Sequence, residues 1–350
     1  IPEIEMPGHA MAALASYPEL SCGLEDTYEV GRIWGVYTQV YCPKETTFQF
    51  LEDVFSELFP IFPSEYYHIG GDECPKDSWK KCTHCQHLIK ELGLKDEHEL
   101  QSYFVTRMEK YLNAHGKQII GWDEILQGGL APNATVTVRN GEETCKEVAN
   151  SGHDVIVTYA YLDYYQEHEL CAEEVTIPGG FLSLEQTYKY IPVPELLTPE
   201  NKKHIFGVES CLWTEYIATP ERLLRQAFPR LFAFAEVGWG TAVEKDYPDF
   251  CRRVLTGFKQ LEQKGMQYSD SFFNPLFTFD KWWVSEYPKD LSLSVDYPKA
   301  EIRYTTDGSD PTAQSFLYVQ KIAVNKGDII RAGAFVNGKL IGKIRAVKFN

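Results

Sequence analysis

The run His68-Ile69-Gly70-Gly71-Asp72-Glu73 decides how this chain is read. A strand-forming stretch that starts at Glu65 ends in two glycines and then two adjacent carboxylic acids. In a parallel α/β domain, residues just past a strand's carboxyl end lie on the face where chemistry is done. Neighbouring carboxylates repel each other and raise the pKa of one, which suits a general acid beside a charged partner. The same two acids would also serve as an N-cap pair for the segment that follows. Spacing alone leaves both readings open.

Outward from that run, strand-like and helix-like stretches alternate as far as about residue 285. Strands are expected at Glu65–Gly71, Lys117–Gly121, Ala134–Arg139, Asp154–Tyr159 and Ile205–Leu212, with a stub at Ile1–Glu5. Amphipathic helices are expected over Thr47–Phe59 and Glu97–His115, the second stopped by Gly116. Thr219-Pro220-Glu221 and Tyr247-Pro248-Asp249 read as helix starts, with proline in the first turn. Such repetition means a parallel α/β sheet, open or closed into a barrel. After Trp282-Trp283 only short strands remain, parted by Asp307-Gly308, Lys326-Gly327 and Asn337-Gly338. The expectation is a small antiparallel β-sandwich over 286–350, following an α/β domain over 1–285.

The pattern at Asp72-Glu73 recurs. Gly121-Trp122-Asp123-Glu124, Tyr161-Leu162-Asp163 and Leu212-Trp213-Thr214-Glu215 each place an aromatic and an acid just past a strand end. Taken singly, each is packing plus a solvated carboxylate. Together on one rim they describe a cup with aromatic walls and carboxylates for hydroxyls, which is a sugar pocket. Composition agrees: aromatics make up 14% of the chain, and ring faces stack on sugars as readily as they fill a core. The net charge of −16 repels phosphate backbones and argues against a nucleic-acid partner. No apolar run approaches the roughly 20 residues that a membrane span needs.

Pro2-Glu3-Ile4-Glu5-Met6-Pro7-Gly8-His9, His68–Glu73, Gly121–Glu124 and Leu212–Glu215 resemble, in order, the motifs of the β-N-acetylhexosaminidases of glycoside hydrolase family 20. The resemblance runs over most of 1–285. Ile302–Gly308 with Asp310-Pro311-Thr312 is similar to the small β domain that follows many such enzymes. It implies a (β/α)8 TIM-type barrel followed by that domain, and an exo-acting enzyme on glycans with a terminal N-acetylhexosamine. The implied mechanism is an exception to the two-carboxylate scheme: the substrate's 2-acetamido oxygen attacks the anomeric carbon, giving an oxazolinium ion and net retention. Carried over by position, Glu73 is the general acid and then the base, and Asp72 orients the acetamido group. Tyr161 hydrogen-bonds the acetamido oxygen, Trp122 and Trp213 wall the pocket, and Asp163 and Glu215 bind hydroxyls. His9 supports the acid from behind, or is simply a packed histidine. The resemblance implies no metal and no cofactor, and a secreted or periplasmic location.

Departures from the family pattern bear on these expectations. Val138-Arg139-Asn140-Gly141 stands where Trp-Arg-Gly is usual, so one pocket wall is a valine. Glu5 stands where Asp is common, and the early-strand Arg has no counterpart. Five strands and a stub fall short of the eight a barrel needs, and Ile1-Pro2-Glu3-Ile4-Glu5 reads as a strand already under way. The chain is therefore expected to be an N-terminally incomplete part of something longer. Two further readings compete: a sugar-binding protein that keeps the cup without turnover, and a relative that releases a disaccharide. A chitinase-like enzyme would show the spaced acids D-x-x-D-x-D-x-E, a run this sequence lacks.

Nine cysteines, an odd number, leave at least one thiol free or paired outside the chain. Cys82-x2-Cys85, with Cys74, His84 and His87 nearby, has the chemistry of zinc ligands. A local disulfide or buried thiols are equally available. Asn133-Ala134-Thr135 is a glycosylation sequon, a triplet too common to fix a compartment.

Overall fold

The structure, a computed structural model, describes residues 1–25, 27–33, 35–158, 183–214, 217–240, 245–279 and 287–349. The chain divides into two compact units, Ile1–Ala160 with Val193–Glu209, and Tyr161–Pro192 with Ser210–Asn350.

The first unit is built on one parallel sheet whose strands follow chain order: β1 Tyr66–His68, β2 Gln118–Trp122, β3 Thr135–Val138, β4 Val155–Val157 and β5 Ile205–Val208. Each expected strand is present in trimmed form. All four residues of β3 are buried, as in parallel strands covered on both faces. The helices are α1 Met11–Ser16, α2 Glu45–Leu58, α3 Asp77–Lys81, α4 Thr83–Glu91, α5 Glu97–Ala114 and α6 Glu142–Asn150. Phe48, Leu51 and Phe55 form the apolar stripe of α2, and Phe48 meets Phe104 of α5 at a ring separation of 4.8 Å. Asp96 caps α5 by accepting the backbone N–H groups of His98 and Glu99, and Gly116 at φ +69° ends it. Strict alternation fails where β2 reaches β3 through a 3-10 turn, Asp123–Leu126.

The N-terminal stub runs parallel to β1. His68 donates its N–H to Pro2 O at 2.9 Å, and Ile4 donates to His68 O at 2.9 Å. This pairing brings Glu3, Glu5 and His9 to the carboxyl end of β1.

In the second unit, α7 Leu184–Lys189, α8 Pro220–Ala227, α9 Arg230–Trp239 and α10 Tyr247–Gln263 enclose a core that includes Leu184, Ala233, Phe250, Val254 and Phe272. The two proline-marked starts are real: Thr219 caps α8 and Asp246 caps α10. Among the described residues seven antiparallel strands follow: β6 Leu276–Phe279, β7 Lys289–Ser294, β8 Glu301–Thr305, β9 Phe316–Leu317, β10 Ile322–Val324, β11 Ile329–Val336 and β12 Lys339–Lys348. They form two sheets, ordered β10-β7-β6 and β12-β11-β8-β9. Leu291, Leu293 and Val324 of the first sheet share one buried cluster with Ile302, Ile330 and Ala332 of the second, which makes a sandwich. β6 and β10 lie outside the strands that the sequence leads one to expect here, Leu291–Val295, Glu301–Thr305, Phe316–Val319, Ile329–Phe335 and Ile344–Phe349. Asn337 (φ +50°) and Gly338 (φ +74°) close the β11–β12 hairpin in the two-residue turn that asparagine-glycine favours. Among the described residues no helix is long and apolar enough to cross a membrane.

Candidate active site

Between β1 and Asp72 the chain turns through Gly70 (φ +68°) and Gly71 (φ +95°), a conformation open to glycine. A Cβ on Gly70 would collide with the Glu5 carboxylate, and one on Gly71 with Ile125. The turn is pinned from both sides. Gly71 donates its N–H to Glu5 Oε1 at 2.9 Å, and its carbonyl accepts the Gln101 side-chain amide at 2.7 Å. It delivers Asp72, with a side chain 9% exposed, next to Glu73, whose side chain is 42% exposed. The capping alternative fails, since the next helix, α3, starts after Lys76 with no side-chain cap.

Of the three non-glycine residues with positive φ among those described, two are His9 (φ +46°) and Glu73 (φ +43°). Strain of this kind collects at functional sites. His9 Nε2 lies 3.5 Å from Asp72 Oδ2 and 3.5 Å from Glu73 Oε2. From the far side Arg139, just beyond β3, reaches Glu124 at 2.7 Å, Glu73 at 3.5 Å and Asp72 at 3.8 Å. Its guanidinium also sits over the Trp122 ring, 5.6 Å from the centroid. Arg139 is the residue that a search of the rim for acids and aromatics missed. As the last residue of the strand expected at Ala134–Arg139, just before Asn140-Gly141, it stood at the rim, and that was the signal that could have found it.

The charges sort themselves accordingly. Burial works to raise the Asp72 pKa, but the hydrogen bond and charge of His9 and the charge of Arg139 outweigh it and hold the carboxyl below its usual range. His9 is raised in return, mainly by Asp72. The carboxyl that burial and its acidic neighbour Asp72 push up is Glu5, to about 10. Asp123 is also raised by burial, to about 6, although its oxygens accept the Asn140 N–H and side-chain amide at 2.8 Å. The site thus holds a buried anion beside an accessible carboxyl, backed by a neutral acid. His9, Asp72 and Glu73 also converge closely enough to hold a cation. Arg139 already supplies positive charge to both carboxylates.

Trp122 is buried, donates its indole N–H to Glu3 Oε1 at 3.0 Å and meets His68 edge-on. Val138 is fully enclosed in β3. Trp213 is half-buried in the second unit. Tyr161, Asp163 and Glu215 lie outside the described residues.

The family model "Glycosyl hydrolase family 20, catalytic domain" matches residues 1–242. The chain belongs to this family. A second model, "Fn3 associated", matches residues 291–349. The "Beta-hexosaminidase" of Porphyromonas gingivalis is 43% identical over 99% of this chain and 45% of its own length. A β-N-acetylhexosaminidase structure from Bacteroides fragilis superposes with a TM-score of 0.67 at 32% identity, covering 77% of this chain and 54% of that one. The family 20 exo-β-N-acetylglucosaminidase of Vibrio harveyi, in complex with N-acetylglucosamine, gives 0.68 at 33% identity, covering 76% and 43%. With these family 20 neighbours, β1–β5 belong to the wall of a (β/α)8-type barrel, and an antiparallel sandwich follows. The chain spans about half the length of the curated relatives it matches.

Proposed function

We propose that this chain carries the catalytic chemistry of an exo-acting β-N-acetylhexosaminidase, which removes a terminal β-linked GlcNAc or GalNAc from a glycan with retention. The observation that carries the reading is the pair at the end of β1: Asp72 buried and held ionised by His9 and Arg139, Glu73 beside it and open to a ligand. Glu73 gives its proton to the glycosidic oxygen as the bond to the leaving group breaks. The acetamido oxygen of the substrate attacks the anomeric carbon and forms the oxazolinium ion. Asp72 orients the acetamido N–H and balances the positive charge that develops there. Water then attacks the anomeric carbon, and its proton passes to Glu73.

Trp122 and Trp213 as pocket walls, Tyr161 on the acetamido oxygen, and Asp163 and Glu215 on hydroxyls complete the reading, with His9 as support for the acidic pair. The matches to 1–242 and 291–349 support a division into a catalytic barrel over 1–285 and a β domain over 286–350. A secreted or periplasmic location goes with a glycan substrate.

Release of the aryl group from an aryl β-N-acetylglucosaminide, with the aryl β-glucoside as control, tests the proposal. Turnover of the first only is expected, with Glu73→Gln slower by about 10²–10⁴-fold and Asp72→Asn also impaired. An unchanged rate in Glu73→Gln, or equal turnover of the glucoside, sinks it. Sugar binding by the wild type without turnover would instead favour the binding-protein reading.

A further inference from the structure

A second cluster of reactive side chains lies apart from the carboxylates. Cys22, Cys42, Cys82 and Cys85 each turn one Sγ into a group whose members all lie within 4.8 Å of one another. Three of the separations are 3.6 Å (Cys42–Cys85), 3.8 Å (Cys22–Cys85) and 4.0 Å (Cys42–Cys82). Four thiolates bound to zinc at about 2.3 Å in a tetrahedron stand about 3.8 Å from one another. A disulfide needs about 2.05 Å, and pairing would split the near-even group into twos. We propose that these four cysteines together form a structural tetrathiolate zinc site.

The surroundings fit that ion. Cys42, Cys82 and Cys85 are buried among Val40, Trp79, Ile89 and Leu100, and Cys22 is half-buried beside them. Cys82 and Cys85 are presented by the first turn of α4, while Cys42 is fixed by its N–H donated to Leu20 O at 2.9 Å. Zinc with four thiolates carries a net negative charge. Lys44, two residues from Cys42, anchors its ammonium on Ser21 O at 2.5 Å beside Cys22. The other zinc candidates of the local sequence drop out. His84 Nε2 is 3.1 Å from Pro43 O, His87 pairs with Glu91, and Cys74 is not in the group.

Cys22 and Cys42 bracket a stretch whose described residues form a long loop, and Cys82 and Cys85 sit just beyond the segment that carries Asp72 and Glu73. The metal therefore clamps the base of that loop to α3 and α4. The clamp leads on to the catalytic face: Trp79 Nε1 donates to Tyr41 O at 2.9 Å, and Tyr41 N–H donates to Pro7 O at 3.0 Å, next to Gly8-His9. With four protein ligands no coordination position is open, so the ion holds structure and takes no part in turnover. Binding releases the protons of the four thiols.

The test is metal content of the whole chain, purified from zinc-supplied cells without chelator. One zinc per chain by elemental analysis is expected, and replacement by Co²⁺ should give the intense bands of a tetrahedral tetrathiolate. Cys82→Ser and Cys42→Ser are expected to lose the zinc, while Cys74→Ser keeps it. Should the serine variants not fold, Cys85→His retains a ligand and is expected to give a cobalt spectrum altered towards three thiolates and one imidazole. A chain with no zinc whose intact mass is lower by four hydrogens holds two disulfides instead, and overturns the proposal. So do free, alkylatable Cys22, Cys42, Cys82 and Cys85 in zinc-supplied protein that carries no zinc, or a full equivalent of zinc in Cys82→Ser.

Discussion

Arg139, just after β3, touches three carboxylates from two other segments: Asp72 and Glu73 after β1, and Glu124 after β2. A planar guanidinium can serve several acceptors at fixed angles, whereas an ammonium is a single point of charge. Arg139→Lys should therefore keep the net charge and lose the geometry. Charged hydrogen bonds are worth about 1.5–3 kcal/mol each, so kcat/KM on an aryl β-N-acetylglucosaminide should fall about tenfold to hundredfold. A lysine variant with wild-type kinetics would reduce Arg139 to packing on Trp122. Glu5 makes a separate prediction. Its folded pKa is raised above the unfolded value of 4.5, to about 10, so folding takes up a proton. Glu5 therefore favours folding below pH 4.5 and loses that contribution as pH rises towards 10. Glu5→Gln keeps an acceptor for the Gly71 N–H and cannot ionise. The variant's thermal midpoint, relative to wild type, should improve steadily from pH 5 to pH 9; parallel pH profiles would refute the raised pKa. The acidic pair itself was legible in the sequence, because two acids after a strand and two glycines are a local pattern. The carboxylates gathered around Arg139 and the grouping of Cys22 and Cys42 with Cys82 and Cys85 were not, because these partners come from distant segments that only the fold brings together.

At the scale of elements, the turn between β1 and Asp72 is where sequence and chemistry meet. Gly70 takes a left-handed φ and also packs its bare Cα against the Glu5 carboxylate. Gly93 takes the same φ (+66°) with nothing near its missing side chain. Alanine at either position costs about 1–2 kcal/mol for the backbone alone. At Gly70 it must also push Glu5 off the Gly71 N–H. Gly70→Ala should thus lose clearly more stability than Gly93→Ala in denaturant titrations, and lose activity as well; equal losses would mean that Glu5 moves aside freely. The five parallel strands could be read from the sequence because each is a short β-branched or apolar run ended by polar or turn residues. β6 and β10 could not. Leu-Phe-Thr-Phe at 276–279 and Ile-Ala-Val at 322–324 are only four and three residues long, and both become strands by pairing with β7. That is tertiary context overriding a weak local signal.

At the scale of the whole molecule, the C-terminal sandwich is tied into the second unit more firmly than a domain boundary at residues 285 and 286 suggests. β6 precedes that point and contributes Phe277, only 1% exposed, to the sandwich core. Returning along the chain, Lys343 in β12 donates its N–H to Asn274 Oδ1 at 2.7 Å and its ammonium reaches Asp270 at 2.7 Å. A Cβ on Gly342 would overlap Phe273, so the strand lies flush on that turn. Removing residues 291–349 would expose Phe277 and leave Asn274 and Asp270 to water. Each large apolar side chain so uncovered costs about 1.5–3 kcal/mol, against a total stability of only about 5–15 kcal/mol. A chain ending at residue 290 should therefore give little soluble protein and bind a hydrophobic dye, even though the family 20 match ends at residue 242. If that shortened chain is instead soluble and melts at the same temperature as the full one, the sandwich is an appendage, and the contacts of Phe277 and Lys343 do not stabilise the unit they join.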